Sequence, residues 1–153
     1  MSRLSLRPSP PFVAASWAAL LVGAVAFCVG LVNAEMMLNE KGYYATVLAF
    51  GLFAVVSLQK SVRDRAEHVP VSALYHGMCG LAVALSLGLL VVGLWNADLA
   101  LSEKGFYGMA FVLSLFGAVA VQKNVRDLAV YDVLDPLADD AAGAPARPSF
   151  AKV

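Results

Sequence analysis

The sequence predicts an all-α membrane protein whose four transmembrane helices form two helical hairpins, related to each other as parallel repeats. Hydrophobic residues make up 60% of the 153 residues and charged residues only 14%, which leaves too little polar surface for a soluble domain of this size. The mean hydropathy of +0.74 agrees with this composition. Four long apolar stretches and one internal repeat complete the prediction.

Four stretches without Asp, Glu, Lys or Arg are predicted to be the spanning helices: 12–32, 43–58, 73–95 and 106–121. The first and third reach the length of about 20 residues that crosses a bilayer. The second and fourth are shorter, but flanking lysines have side chains long enough to reach the headgroups. The alternative for the first stretch is a cleaved signal peptide, since Arg3 and Arg7 precede it and small residues follow it. Its length, beyond the usual signal core of about 7–15 residues, favours a retained helix.

Segment 30–64 repeats as segment 93–127 without a gap, and 17 of 35 positions are identical. Each copy belongs to a hairpin of two spans. Because two spans return the chain to the side from which it started, both hairpins enter and leave the membrane on the same side, and the repeats are parallel. The predicted units are an N-terminal segment (1–11), a first hairpin repeat (12–64), a connector (65–72), a second hairpin repeat (73–127) and a mobile tail (128–153).

The basic residues are distributed unevenly between the two ends of the predicted bundle. Nine of the 11 lysines and arginines fall on the side of the termini and the connector, and only Lys41 and Lys104 lie in the hairpin turns. The positive-inside rule therefore predicts that both termini are cytoplasmic.

Each hairpin turn carries the same pattern of charged residues, and six of them form a candidate functional rim: Glu35, Glu40, Lys41, Asp98, Glu103 and Lys104. In one interpretation the pattern is helix punctuation, with Asn39 and Ser102 as N-caps. Glu40 and Glu103 would then lie in the first turn of the next helix, at its positive end. The alternative is an acidic ring that gathers cations, although the two lysines would partly neutralise it.

Two further pairs of the repeated turn have a predicted backbone role. Asn33 and Asn96 stand where the preceding helices are expected to end, and asparagine tolerates the left-handed conformation found there. Gly42 and Gly105 are costly inside a helix, so they are expected to permit close approach of the sister hairpin.

The motif Gln-Lys-x-Val-Arg-Asp closes the second helix of each hairpin and supplies six candidate cytoplasmic docking residues: Gln59, Lys60, Arg63, Gln122, Lys123 and Arg126. Basic residues at this position suit the negative helix end and the membrane border. They would equally suit a docking surface for a protein or for anionic lipid. The match of the two glutamines has no physical explanation in the sequence alone.

The composition excludes several classes of function. The apolar stretches lack Asp, Glu, Lys and Arg, and proton relays and ion-coupled pumps usually place a carboxylate at membrane depth. Two cysteines and two histidines, of which His76 is interpreted as an interfacial residue, form neither a disulfide framework nor a metal motif. Balanced charge, with 11 basic and 11 acidic residues, argues against nucleic acid as a partner. No nucleophile elbow, phosphate loop or dinucleotide fingerprint occurs, so neither an enzyme nor a cofactor or metal site is expected.

The repeated motifs Asn-Glu-Lys-Gly-Tyr-Tyr (39–44), Ser-Glu-Lys-Gly-Phe-Tyr (102–107) and Gln-Lys-x-Val-Arg-Asp make the chain resemble the YiaA/YiaB family of bacterial inner-membrane proteins. The resemblance covers about residues 12–130 and is closest to the members that contain two copies of the two-helix unit. It implies a multi-pass protein of the inner membrane. It brings no catalytic or binding residues.

Two functions are compatible with these observations. The first is a non-catalytic membrane protein that acts as a structural, assembly or stress-related accessory factor. Its expected partners are the lipid bilayer and another membrane protein. The alternative is a small passive channel or carrier for an ion or small solute, along the axis that relates the repeats. Rows of small residues also predict a homo-oligomer, most simply a dimer. They lie on the first and fourth stretches and, on the third, at Gly77, Gly80, Gly88 and Gly93.

Overall fold

The computed structural model describes the backbone of residues 8–143 and the side chains of residues 8–131. It contains four α-helices: α1 (Pro10–Asn33), α2 (Leu38–Ala66), α3 (Ala73–Asn96) and α4 (Leu101–Gly143). All four are long and apolar enough to cross a membrane, and a 24-residue helix such as α1 extends about 36 Å. Between residues 8 and 143 there is no strand, which confirms the predicted all-α class with four spans.

Local signals in the sequence explain where the helices begin and end. Pro10 is the first residue of α1, where a missing backbone N–H costs nothing. Ser72 caps α3, because its Oγ accepts a hydrogen bond of 3.1 Å from the backbone N of Tyr75. Helix α2 ends in a Schellman motif, in which Val69 N donates to Asp64 O at 2.8 Å and His68 has a positive φ of 60°. A histidine rather than a glycine therefore adopts the strained backbone conformation of the connector.

Helix α4 continues past Asp127 to Gly143, so the first part of the predicted mobile tail is helical. Residues 128–134 contain neither glycine nor proline, and a helix already formed in the membrane extends through such residues at little cost. The backbone of this part of the tail is thus helical up to Gly143, and its mobility stays a prediction. Residues 144–153 lie outside the described part of the chain.

The helices pack mainly between the two repeats rather than within them. Helix α1 lies along α4 and α3 lies along α2, while α2 and α4 meet in the middle and α1 has little contact with α2. Exchanging the repeats converts the α1–α4 pair into the α3–α2 pair, so the bundle has a pseudo-twofold axis between α2 and α4. The sequence repeat predicted the symmetry, but it did not predict this exchange of packing partners.

Aromatic rings fill the bundle near the end that carries the loops 34–37 and 97–100, which we call the loop end. Phe27 and Phe111 are completely buried. The ring of Tyr107 meets Phe27 edge to face, with centroids 5.4 Å apart, and stacks on Tyr44 at 6.2 Å. Tyr44 and Tyr107 are equivalent in the two repeats, so their contact lies on the pseudo-twofold axis.

Buried hydrogen bonds connect the helices toward the opposite end, which carries the connector 67–72 and which we call the connector end. Asn124 on α4 donates to Ser16 Oγ on α1 at 2.9 Å. Ser61 on α2 lies 2.9 Å from Nδ1 of His76 on α3. Ser61 and Asn124 occupy equivalent repeat positions, so each helix pair has one polar tie at the same depth. His76 therefore has the interhelical structural role of a partly buried interfacial residue.

Glycines permit the closest helix contacts, but at positions other than those predicted. A Cβ placed on Gly23 would lie 2.6 Å from the backbone N of Ser114, and one on Gly117 would overlap the backbone of Leu20. A Cβ on Gly42 or Gly105 would meet no atom of the described chain within 4 Å. The prediction that Gly42 and Gly105 permit close packing between the hairpins is therefore wrong, because both face outward from the bundle.

Candidate functional site: two equivalent clefts at the loop end

The acidic residues that begin α2 and α4 act as helix caps. Glu40 Oε2 accepts a hydrogen bond of 2.8 Å from Met37 N, and Glu103 Oε2 accepts one of the same length from Ala100 N. Both glutamates lie in the first helical turn, as predicted. The predicted N-caps Asn39 and Ser102 are instead inside the helices, because each helix begins earlier and its capping oxygen comes from the glutamate.

The lysines and asparagines of the rim close the preceding helices. Lys41 Nζ donates to Val32 O at 2.8 Å, and Lys104 Nζ donates to Trp95 O at 3.4 Å. Asn33 donates from Nδ2 to the carbonyl one turn earlier at 2.8 Å, and Asn96 does so at 2.7 Å.

The prediction of a left-handed conformation at both asparagines is wrong, since His68 is the one residue other than glycine with a positive φ in the described chain. A side-chain bond to the last turn satisfies the helix end without it.

Glu35 and Asp98 lie in the loops, and both side chains are exposed. Across residues 8–131 no three Asp, Glu, His or Cys side chains come together in a group that could hold a metal ion. The four acidic residues of the rim thus divide into two that cap helices and two that face solvent. The geometry supports the helix-punctuation interpretation of the motif.

Two clefts of similar size lie where the capping residues approach the ends of α1 and α3. One has a volume of about 310 Å³ and is lined by Gly30, Asn33, Ala34, Ser102, Glu103, Phe106 and Tyr107. The other has a volume of about 290 Å³ and is lined by Gly93, Asn96, Ala97, Asn39, Glu40, Tyr43 and Tyr44. Every lining position of one cleft corresponds to a lining position of the other in the sequence repeat. The two copies of the turn motif therefore build the same site twice.

Each cleft depends on contact between the two repeats. A Cβ placed on Gly30 would lie 2.8 Å from the ring of Phe106, and one on Gly93 would lie 2.7 Å from the ring of Tyr43. These two glycines give the aromatic rings room to lie against the opposite helix. The stacked pair of Tyr44 and Tyr107 separates the two clefts, since each tyrosine lines one of them.

Three of the four basic docking residues at the connector end form ion pairs with acidic residues of the described chain. Arg126 forms an ion pair with Glu67, which joins α4 to the connector. Lys123 Nζ lies 3.9 Å from Asp127, and Arg63 Nη2 lies 3.0 Å from Asp64. Lys60 is exposed. Most of the positive charge that the sequence predicted for a docking surface is therefore compensated within the chain.

The repeated glutamines have a structural feature that the sequence did not reveal. The side-chain oxygens Oε1 of Gln59 and Gln122 are both fully buried and have no hydrogen-bond partner. The side-chain oxygen Oδ1 of Asn124 is buried and unpaired in the same way. Buried acceptors of this kind are normally satisfied, often by a bound water molecule. The glutamines thus take part in the interior of the connector end rather than in its surface.

Sequence reasoning identified Glu40 and Glu103 but missed the glycine and the tyrosine of each cleft. The available signal was their identity in both repeats at Gly30/Gly93 and Tyr44/Tyr107. That signal could not be interpreted without knowing that each repeat packs on the other.

A model of the "yiaA/B two helix domain" matches this chain twice, at residues 12–64 and 75–127. The chain is 58% identical over 122 residues to "Inner membrane protein YiaA" of Escherichia coli (strain K12), covering 80% of this chain and 84% of that protein. It is 32% identical over 109 residues to "Inner membrane protein YiaB" of the same organism, covering 68% and 88%. It is 34% identical over 68 residues to "Uncharacterized membrane protein YubF" of Bacillus subtilis (strain 168), covering 44% and 78%. No solved structure matches the chain.

Proposed function

The chain belongs to the YiaA/YiaB family, and from this we propose that it is a non-catalytic integral protein of the bacterial inner membrane that acts as a structural or assembly accessory factor. The names of the two Escherichia coli relatives support the location. The absence of Asp, Glu, Lys and Arg from the apolar stretches supports a role without a carboxylate-based proton relay or ion-coupled transport.

The closed pseudo-twofold axis is the observation that carries this proposal. A conducting path needs polar groups or an opening along its length. The axis instead contains the stacked rings of Tyr44 and Tyr107, with the buried rings of Phe27 and Phe111 packed behind them. A single chain whose axis is closed by aromatic rings is suited to binding other membrane helices rather than to passing a solute.

The passive channel or carrier is the alternative that the acidic rim motivated. Glu40 and Glu103 are engaged in capping, which weakens that motive. A path between chains of an oligomer would still have to pass the rim, so flux through reconstituted vesicles distinguishes the two functions. We expect no flux of small ions above that of empty vesicles. Flux that falls in the Glu40→Gln, Glu103→Gln double variant would instead support the channel.

A partner assay tests the accessory role directly. The tagged full-length protein is purified from its native membrane in mild detergent, and stoichiometric membrane-protein partners are identified by mass spectrometry. We expect one such partner, and we expect it to be lost with Lys60→Gln plus Lys123→Gln, which removes the two most exposed docking cations. The matched control is Lys41→Gln plus Lys104→Gln at the other end of the bundle. Recovery of the protein alone, together with specific flux, would overturn the accessory role.

We also propose that both termini and the connector are cytoplasmic, because most of the basic residues lie at that end. Reporter fusions at residue 37, residue 68 and the C-terminus test this orientation. A cytoplasmic signal at residue 68 and at the C-terminus, with an external signal at residue 37, is expected. An external signal from the fusion at residue 68 would reverse the proposed topology.

A further inference from the structure

The two loop-end clefts contain hydrogen-bond acceptors that the protein leaves unused. In the cleft beside α1, Glu103 uses Oε2 for the Ala100 N–H, and its Oε1 has no partner among the described residues. Asn33 uses its Nδ2 on the Val29 carbonyl, so its Oδ1 is left without a partner in the same part of the chain. The repeat-equivalent atoms of Glu40 and Asn96 are left in the same state in the second cleft.

The hydroxyl of a largely buried tyrosine completes each set. Tyr44 and Tyr107 are each only 4% exposed, and neither hydroxyl has a hydrogen-bond partner among residues 8–131. Neither hydroxyl oxygen is fully buried, and each tyrosine lines one of the two clefts. A hydroxyl in such a largely apolar setting needs a partner, which a ligand or water can supply.

We propose that each cleft binds the primary ammonium group of an ethanolamine phospholipid from the leaflet at the loop end. An ammonium group has three N–H donors, and beside the side chain of Ser102 or Asn39 each cleft offers the same three kinds of oxygen acceptor: a carboxylate, an amide carbonyl and a tyrosine hydroxyl. The glutamate is the one ionised residue in the lining of each cleft, so the site favours a cation over an anion.

The surroundings of the clefts fit a zwitterionic lipid better than a free amine. Lys41 is held at the Val32 carbonyl, next to Asn33 of the first cleft, and Lys104 is held at Trp95, next to Asn96 of the second. Each lysine therefore adds a positive charge beside a residue that lines a cleft, and we expect it to attract the phosphate of the headgroup. Val32 and Trp95 are 73% and 82% exposed, and they offer apolar surface to the acyl chains.

The size of the clefts agrees with a headgroup rather than a larger ligand. Their volumes of about 310 and 290 Å³ are at the lower end of the range for small-molecule sites, which is roughly 300–1,000 Å³. Both clefts lie at the ends of spanning helices, where headgroups are located. Since the site occurs twice, we expect two bound lipids per chain.

Native mass spectrometry of the full-length protein in mild detergent tests the proposal, with added ethanolamine or choline phospholipids of identical acyl chains. We expect up to two ethanolamine lipids per chain and binding about tenfold weaker for choline lipids, which cannot donate hydrogen bonds. Glu40→Gln and Glu103→Gln should each remove one bound lipid, and the double variant should remove both. Glutamine keeps the oxygen that caps the helix, so these variants are expected to retain the fold.

The matched control is the Glu35→Gln, Asp98→Asn double variant, which removes two charges from the same rim but from outside the clefts. We expect it to bind two lipids as the wild type does. Tyr44→Phe with Tyr107→Phe removes only the hydroxyls and should weaken binding independently of charge. Equal binding of ethanolamine and choline lipids, or equal loss in the cleft and control variants, would overturn the proposal. Binding of free ethanolamine with the same dependence on Glu40 and Glu103, and no retained lipid, would overturn the lipid as the source of the ammonium group.

Discussion

Gly117 is the position at which the packing of α1 on α4 is most sensitive to one added methyl group. A Cβ on Gly117 would lie 2.5 Å from Leu20 Cα and 2.9 Å from Leu20 Cβ. Because the nearest obstructing atoms belong to the backbone of α1, the helix itself must move. We therefore expect Gly117→Ala to cost about 1–3 kcal/mol in overpacking.

Gly105→Ala is the matched control on the same helix, since a Cβ there meets nothing within 4 Å in the described chain. Both substitutions gain the helix preference of alanine over glycine, roughly 0.5–1 kcal/mol. Gly105→Ala should therefore be neutral or stabilising, and the difference between the two variants should be about 1–3 kcal/mol. Ala54 occupies the position equivalent to Gly117 and is 1% exposed, so the α2–α3 pair already accommodates a methyl group.

Unfolding of the two variants is measured in the same mild detergent, by circular dichroism during heating and during titration with a denaturing detergent. Gly117→Ala should unfold earlier than the wild type, and Gly105→Ala should unfold no earlier. Equal stability of the two variants would refute the close approach of α1 and α4 at Leu20.

Three further predictions concern other parts of the fold. A double-mutant cycle of Asn124→Ala and Ser16→Ala, measured by unfolding in detergent, should give a coupling of about 0.5–1.5 kcal/mol for their buried hydrogen bond, and a coupling of zero would argue against the contact. His68→Gly should stabilise the protein by up to about 1 kcal/mol, because glycine accepts the positive φ of 60° without strain, whereas a lower melting temperature would show that the histidine side chain has another role. The wild-type protein should form a dimer in light scattering corrected for bound detergent, because Gly77, Gly80 and Gly88 on α3 meet nothing within 4 Å in the described chain; a protein mass near 16 kDa at all detergent concentrations would contradict this.

The sequence was sufficient to predict the number of spans, the repeat and the first-turn position of Glu40 and Glu103. These features depend on local composition and on periodic patterns, which a single sequence contains. The prediction of Asn39 and Ser102 as N-caps was wrong although both are residue types that often cap helices. The capping oxygens come from Glu40 and Glu103 instead.

The arrangement of the helices could not be predicted in the same way. Each span shows apolar residues on all sides, so the pattern does not indicate which neighbour a given face contacts. Gly42 and Gly105 recur in both repeats, yet they face outward, and the closest contacts with the backbone of another helix are made by Gly23 and Gly117, which have no glycine at the equivalent position. The clefts were unpredictable for the same reason, since each one combines residues from both repeats.

The exchange of packing partners between the repeats underlies both the closed axis and the twin clefts, and engineered disulfides test it most directly. Ser16 Oγ on α1 lies 2.9 Å from Asn124 Nδ2 on α4, so these two side chains face each other, whereas Ser61 is the position of α2 equivalent to Asn124. With Cys28 and Cys79 replaced by serine, the Ser16→Cys, Asn124→Cys variant is oxidised in membranes and its intrachain cross-link is identified by mass spectrometry. We predict a cross-link in this variant and none in Ser16→Cys, Ser61→Cys. A cross-link between positions 16 and 61, with none between 16 and 124, would show that each repeat packs on itself and would contradict the account.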